Sequence, residues 1–235
     1  MLLACFASCG GGSGEGRTNG DGVGSGPDGG GSGSSDPPVV GTTALNVLTA
    51  AERVSYETDL LSDFAVVTDA ATGGGQTVFG SQPATGSVSY DGYMQLIMGN
   101  ASVSANVIGN AMLQLDIVNA TLSGTATGFQ GVTDDEFDFP QVAHYDGVVT
   151  ITDATVGVSP DGHYAVGFGI NGVLDNGLNS FGIDGNLIGA LYGAEAEGLY
   201  AIGSYTNIHG SMDITIDGVD TPEDIGIATV STLKP

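Results

Sequence analysis

The 235-residue chain predicts an all-β protein: a single antiparallel β-barrel of roughly eight to ten strands with a short helix near its start, preceded by a disordered glycine-rich tether. Three observations carry this. Beyond Ser87 apolar residues recur with period two, as half-buried strands require. Asp-Gly and Asn-Gly steps separate or interrupt the runs, which is the chemistry of tight turns between antiparallel strands. The glycine tract is confined to the first forty residues or so, which leaves about 190 for one domain able to bury a core without staples.

The elements follow in order. The chain opens MLLACFASCGGG and carries two cysteines in all, Cys5 and Cys9. Cys9 follows Phe6-Ala7-Ser8 and precedes Gly10, which resembles the lipobox of bacterial lipoproteins, where a cysteine after small residues is acylated. Cys5 fits the residue preferences too, but has almost no apolar segment ahead of it; a pairing of Cys5 with Cys9, or two free thiols, stays open. The stretch from Met1 to Ala7 is too short to span a bilayer and lacks a basic n-region, so a longer leader is expected. Residues 1–9 therefore read as the end of a lipoprotein signal. Residues 10–41 have almost no apolar side chain to offset the entropy of ordering, and read as a flexible tether with a reach of roughly 30 Å. The tract lacks the spacing and the aliphatic position of a calcium-binding glycine repeat.

Residues 42–235 read as the barrel domain. Thr49-Ala50-Ala51-Glu52 is a capping box and starts a helix of one or two turns. In MLQLDIV, Leu113, Leu115 and Ile117 share a face opposite Gln114 and Asp116. In HYAVGFGI, Val166, Phe168 and Ile170 alternate with Ala165, Gly167 and Gly169, so one face is bulky and the other nearly bare. Comparable runs are SVSYDGYMQLIM, ATLSGTATGF, GVVTITDATV, NSFGIDGNLIG, LYAIGSYTN, SMDITIDG and IGIATVST. Turn signals stand at Asp91-Gly92, Asp146-Gly147, Asp161-Gly162, Asp175-Asn176-Gly177 and Asp217-Gly218.

These runs carry a family resemblance. Gly86, Tyr90 and Gly92 form a G-x-x-x-Y-x-G strand that resembles the opening of lipoprotein barrels of the transferrin-binding protein B type. AMLQLDIVNATLSGTATGF resembles the strand pair that follows, with Asp116 ahead of a reversal. GNLIGALYGAEAEGLYAIGSY resembles that family's closing signature through Gly189, Leu191, Tyr192, Gly193 and Ala196, with Glu197 near the expected acid. Ala194 stands where the family has proline, Tyr200-Ala201 where it has paired glycines, and Tyr205 regains the pattern after a short insertion. The resemblance covers about Thr85 to Tyr205. It implies a barrel in which Tyr192 and Tyr205 pack or plug, and a protein attached to the outer membrane that recognises a host protein or delivers a nutrient. Physically, glycines of this kind let aromatic rings lie over bare backbone and let a small barrel bend closed.

Charge and motifs narrow the chemistry. The net charge is −24, with 27 acids against three basic residues, so nucleic acid and other polyanions are poor partners and the membrane is met only through the lipid anchor. No G-x-S-x-G elbow occurs, and Ser159 precedes a proline, as in a turn. His144, His163 and His209 lack metal-ligand spacing, so no metal or other cofactor is expected. His144-Tyr145 and His163-Tyr164 are matching dipeptides of haem-ligating residue types, and some relatives in the resembled superfamily carry haem; few basic residues are at hand to meet propionates. Two acidic clusters stand in loops without EF-hand spacing, one of them running from Asp217 to Asp224. In the other, Asp134, Asp135, Glu136 and Asp138 interleave with Phe137 and Phe139, a pattern suited to steering and docking a basic partner. The expectation is a monomeric, non-enzymatic lipoprotein at the outer membrane or cell surface that binds an unknown protein or small nutrient ligand. An integral outer-membrane barrel and a secreted, self-associating β protein remain the alternatives, with a haem-binding lipoprotein as a minor one.

Overall fold

The computed structural model describes residues 44–80, 86–116, 118–135, 140–206, 210–220 and 224–235. Cys9, the tether, Ile117, Glu136, Phe137, Asp138, Phe139 and His209 lie outside them. The chain divides into units Met1–Val40 and Gly41–Pro235, and all that follows belongs to the second.

The capping box forms as its residues dictate. The Glu52 carboxylate accepts the Thr49 backbone N–H at 2.8 Å, and the Thr49 hydroxyl accepts the Glu52 N–H at 3.4 Å. The helix runs well past the expected one or two turns, through α1 (Ala50–Ser55), a π-helical stretch (Tyr56–Leu60) and α2 (Leu61–Gly73). Packing against the barrel supplies what local signals do not. Tyr56 is buried against Leu48 and Val142, the Thr68 hydroxyl donates to Ser231 Oγ at 3.0 Å, and Ala71 lies against Gly198. Gly75, at φ +70°, follows the end of the helix.

Among the described residues nine strands follow: β1 (Ser87–Gly99), β2 (Val103–Asp116), β3 (Thr121–Asp135), β4 (Gln141–Val158), β5 (Tyr164–Asp175), β6 (Ser180–Tyr192), β7 (Gly198–Ser204), β8 (Gly210–Ile216) and β9 (Ile225–Leu233). Eight of them close a ring in the order β1-β2-β3-β4-β5-β6-β7-β9, every pairing antiparallel. β8 stands outside the ring. It takes over the β6 edge where β7 leaves it, since Ile188 pairs with Ile202 of β7 while Leu187 pairs with Gly210 of β8.

Two of the turn signals prove to be strand interiors. Asp91-Gly92 lies inside β1 and Asp146-Gly147 inside β4, where the glycines admit close backbone neighbours: Ser231 and Thr232 at Gly92, Val173 at Gly147. Asp161-Gly162, Asp175-Asn176-Gly177 and Asp217-Gly218 do turn the chain, each with its glycine at positive φ. Asp116 precedes a reversal as expected, its carboxylate accepting the Asn119 N–H and side-chain amide at 3.0 and 2.8 Å.

Alternation sends the bulky residues inward. Tyr90, Leu113, Phe129, Tyr145, Ile170, Phe181, Leu199, Ile214 and Val230, one from each strand, belong to one continuous core. Register shifts in β2–β3, β3–β4 and β4–β5 are bulges of the kind that bend a sheet toward closure. At the first of them the Phe129 ring covers Gly109, where a Cβ would sit 2.7 Å from the ring.

Candidate functional site

Tyr90, Tyr192, Gly193 and Ala196 gather at one end of the barrel. Tyr90 is fully buried and its hydroxyl donates to the Ala196 carbonyl at 2.9 Å; burial, helped by nearby Glu197, pushes that hydroxyl up to about 12. Ala196 is itself buried at φ +57° in the β6–β7 turn, so this bond ties the turn over the barrel mouth. Tyr192 ends β6 half-buried beside Gln76, and Gly193 turns at φ +85° with its N–H donating to Gly75 O. Gly189 lies against the backbone of Tyr200 and Ala201, and Gly92 against β9. Gly86, at φ +116°, precedes β1 in open space. Tyr205 does not join them: it stands 47% exposed in the turn after β7, held by its backbone N–H on Gly226 O. Its side chain therefore does not plug the core. β7 runs from Gly198, opposite Leu233, to Ser204, opposite Ile227, and so carries Tyr205 to the other end of the sheet.

The same end is sealed from the N-terminal side. Residues 75–79 enter where β5 and β6 splay apart: Thr77 N–H donates to Leu191 O, Tyr164 N–H donates to Thr77 O, and the Thr77 hydroxyl donates to Gly193 O at 2.7 Å. At the opposite end residues 45–48 line the free edge of β4, with Leu48 N–H on Val142 O and His144 N–H on Asn46 O. Burial pushes the Tyr145 hydroxyl up there, with Thr133 and Asn176 beside it. Tyr145 Oη and Asn176 Nδ2 are buried without hydrogen-bond partners among the described residues.

The two His-Tyr dipeptides lie at opposite ends of the barrel, at the start of β4 and the start of β5, so they cannot ligate one iron together. His144 Nε2 is 3.3 Å from Glu52 Oε1, which links the helix start to β4. Among the described residues no three His, Cys, Asp or Glu side chains come together as a metal site. Of the acidic cluster, Asp134 is exposed opposite Ser104 near the end of β3, and Asp135 is the last residue of that strand.

A surface that the sequence reading did not single out lies on the outer wall. A groove of about 460 Å³ crosses β1, β2 and β3, lined by Ser89, Asp91, Met112, Gln114, Ser123 and Thr125. Cross-strand register places these side chains in two rows, Ser89–Gln114–Ser123 and Asp91–Met112–Thr125. Met112 is 60% exposed, and Gln114 Nε2 donates to Ser87 Oγ at 2.8 Å. One position further along β1, the Tyr93 ring meets Phe64 of α2 edge to face at 6.4 Å. The outward positions of each strand were legible in the alternation. What brought them together was the register among three strands, which no single run contains.

No protein-family model matches the chain, and a search of curated proteins finds no match either.

Proposed function

We propose that the chain is a non-enzymatic binding module, held at a bacterial outer membrane or cell surface by an acylated Cys9 and a flexible tether, whose barrel recognises an extracellular protein or a small nutrient ligand on its outer wall. One observation carries this reading: all nine strands fill the interior with apolar side chains, while hydroxyl, amide and carboxylate groups stand outside in rows. A filled barrel is a scaffold, and its recognition chemistry belongs to its surface. The resemblance to lipoprotein barrels of the transferrin-binding protein B type supports the same reading, as does the lipobox pattern before Cys9. The acidic run that begins at Asp134 favours a basic protein partner over an acidic one.

An integral outer-membrane barrel is the weaker reading. It calls for a continuous lipid-facing apolar band around a polar lumen, whereas outward positions here include Ser104, Asn106 and Asn110 on β2 and Thr125, Thr127 and Gln130 on β3. A self-associating matrix protein would sediment faster as its concentration rises, and a monomeric binder would not.

The test is expression behind a complete bacterial signal peptide. The expected result is an acylated N-terminal cysteine by mass spectrometry and partitioning into detergent, both lost in Cys9→Ala. An unmodified, water-soluble mature chain overturns the anchor.

A further inference from the structure

We propose that the groove across β1–β3 binds a neutral saccharide, an inference that rests on the outer-wall reading above and names its ligand. The lining chemistry selects the class. Ser89, Ser123 and Thr125 offer hydroxyls that both donate and accept, Gln114 offers a carbonyl oxygen, and Asp91 offers a carboxylate that accepts from two neighbouring hydroxyls at once. Met112 lies between Asp91 and Thr125 with most of its surface open, an apolar, polarisable floor for the C–H face of a sugar ring. Two residues beyond Asp91 on β1, outside the lining itself, Tyr93 is packed edge to face on Phe64 of α2.

Charge excludes the neighbouring classes. None of the eight lining residues, which also include Leu113 and Gly124, is basic, and the chain carries −24, so sulfated or uronic saccharides meet repulsion without a compensating cation. A single carboxylate among otherwise uncharged lining residues is too little to hold a basic peptide, whereas a polyol uses the hydroxyl, amide and carboxylate groups together. The groove, about 460 Å³, is shallow and largely open, so it can meet only one face of a ligand. Its position on an open wall admits an extended chain that enters and leaves along the strands.

The experiment uses the full chain labelled with nitrogen-15, titrated with neutral oligosaccharides of glucose, mannose, galactose and xylose, with a uronic oligosaccharide and with a lysine-rich peptide. At least one neutral oligosaccharide is expected to shift the amide signals of residues 89–91, 112–114 and 123–125, with an affinity unchanged between about 50 and about 500 mM salt. Asp91→Asn and Met112→Ala, both at exposed positions, are expected to weaken it by about tenfold each while the remaining spectrum stays native. Three outcomes overturn the proposal and leave the outer-wall reading standing: a preference for the uronic chain, salt-sensitive binding of the peptide to this groove, or shifts confined to another face. A fourth, neutral chains that move no signal in these three strand segments, overturns it outright. Evidence for ligand entry into the barrel interior would defeat the outer-wall reading itself.

Discussion

At the scale of single residues the barrel mouth is held by backbone geometry and one buried hydroxyl. Gly193 sits at φ +85°, and a Cβ there would meet the Glu197 side chain, whose carboxylate accepts the Glu195 N–H. Gly193→Val is therefore expected to lose about 1–3 kcal/mol in denaturant unfolding, through strain and overpacking. Gly157 provides the contrast, because among the described residues nothing beyond its own chain neighbours lies within 4 Å of its Cβ position and its φ is ordinary; Gly157→Val should stay within about 0.5 kcal/mol of the parent. Equal losses at both sites would remove the argument from close approach. Tyr90→Phe deletes the bond to Ala196 O and is expected to cost about 1 kcal/mol. The pH dependence follows from the direction of the Tyr90 shift. Its folded value of about 12 lies above the ordinary 10.0, so the stability tied to the neutral hydroxyl is complete below pH 10.0 and is lost as pH rises through about 12. The gap between parent and Tyr90→Phe unfolding midpoints should narrow over that window, and a constant gap would contradict it.

At the scale of elements, strands and helix are held by different means. Each strand contributes to the shared core, whereas only Tyr56 and Ala71 are buried in the helix. Apolar burial is worth about 1.5–3 kcal/mol for a large side chain, so the barrel carries most of the stability and the helix is a strap fixed at its ends. The capping box sets how well its start holds. Hydrogen bonds from Thr49 keep the Glu52 carboxyl below the ordinary glutamate value of 4.5. Its contribution is thus present above that pH and lost as pH falls beneath it. Hydrogen exchange should show amides of α1 losing protection in acid while those of β1–β6 keep theirs, and Glu52→Gln should show the same weakening at neutral pH. Protection of α1 that falls only together with the barrel would mean that strap and barrel unfold as one unit.

For the whole molecule, charge and the N-terminal tract set behaviour in solution. Self-repulsion from a net charge of −24 opposes compaction, so added monovalent salt should raise the thermal midpoint most at low ionic strength, where screening changes fastest. Deletion of residues 10–38 removes almost no apolar surface and should shift that midpoint by no more than a few degrees, as scanning calorimetry would show. A larger fall would place the tract against the barrel.

By itself the sequence determined the all-β class, the inward and outward set of each strand and the capping box at Thr49, because these depend on residues a few positions apart. It also carried the glycines, but not their roles. Asp91-Gly92 and Asp161-Gly162 read alike, and only the neighbours decided that the first pairs with β2 and β9 while the second turns. The helix length, the displacement of β8 from the ring and the exposure of Tyr205 likewise depend on contacts across long stretches of chain. So does the groove: Asp91, Met112 and Thr125 are 21 and 13 positions apart, and only the closed antiparallel ladder, which fixes which residue stands opposite which, brings them side by side.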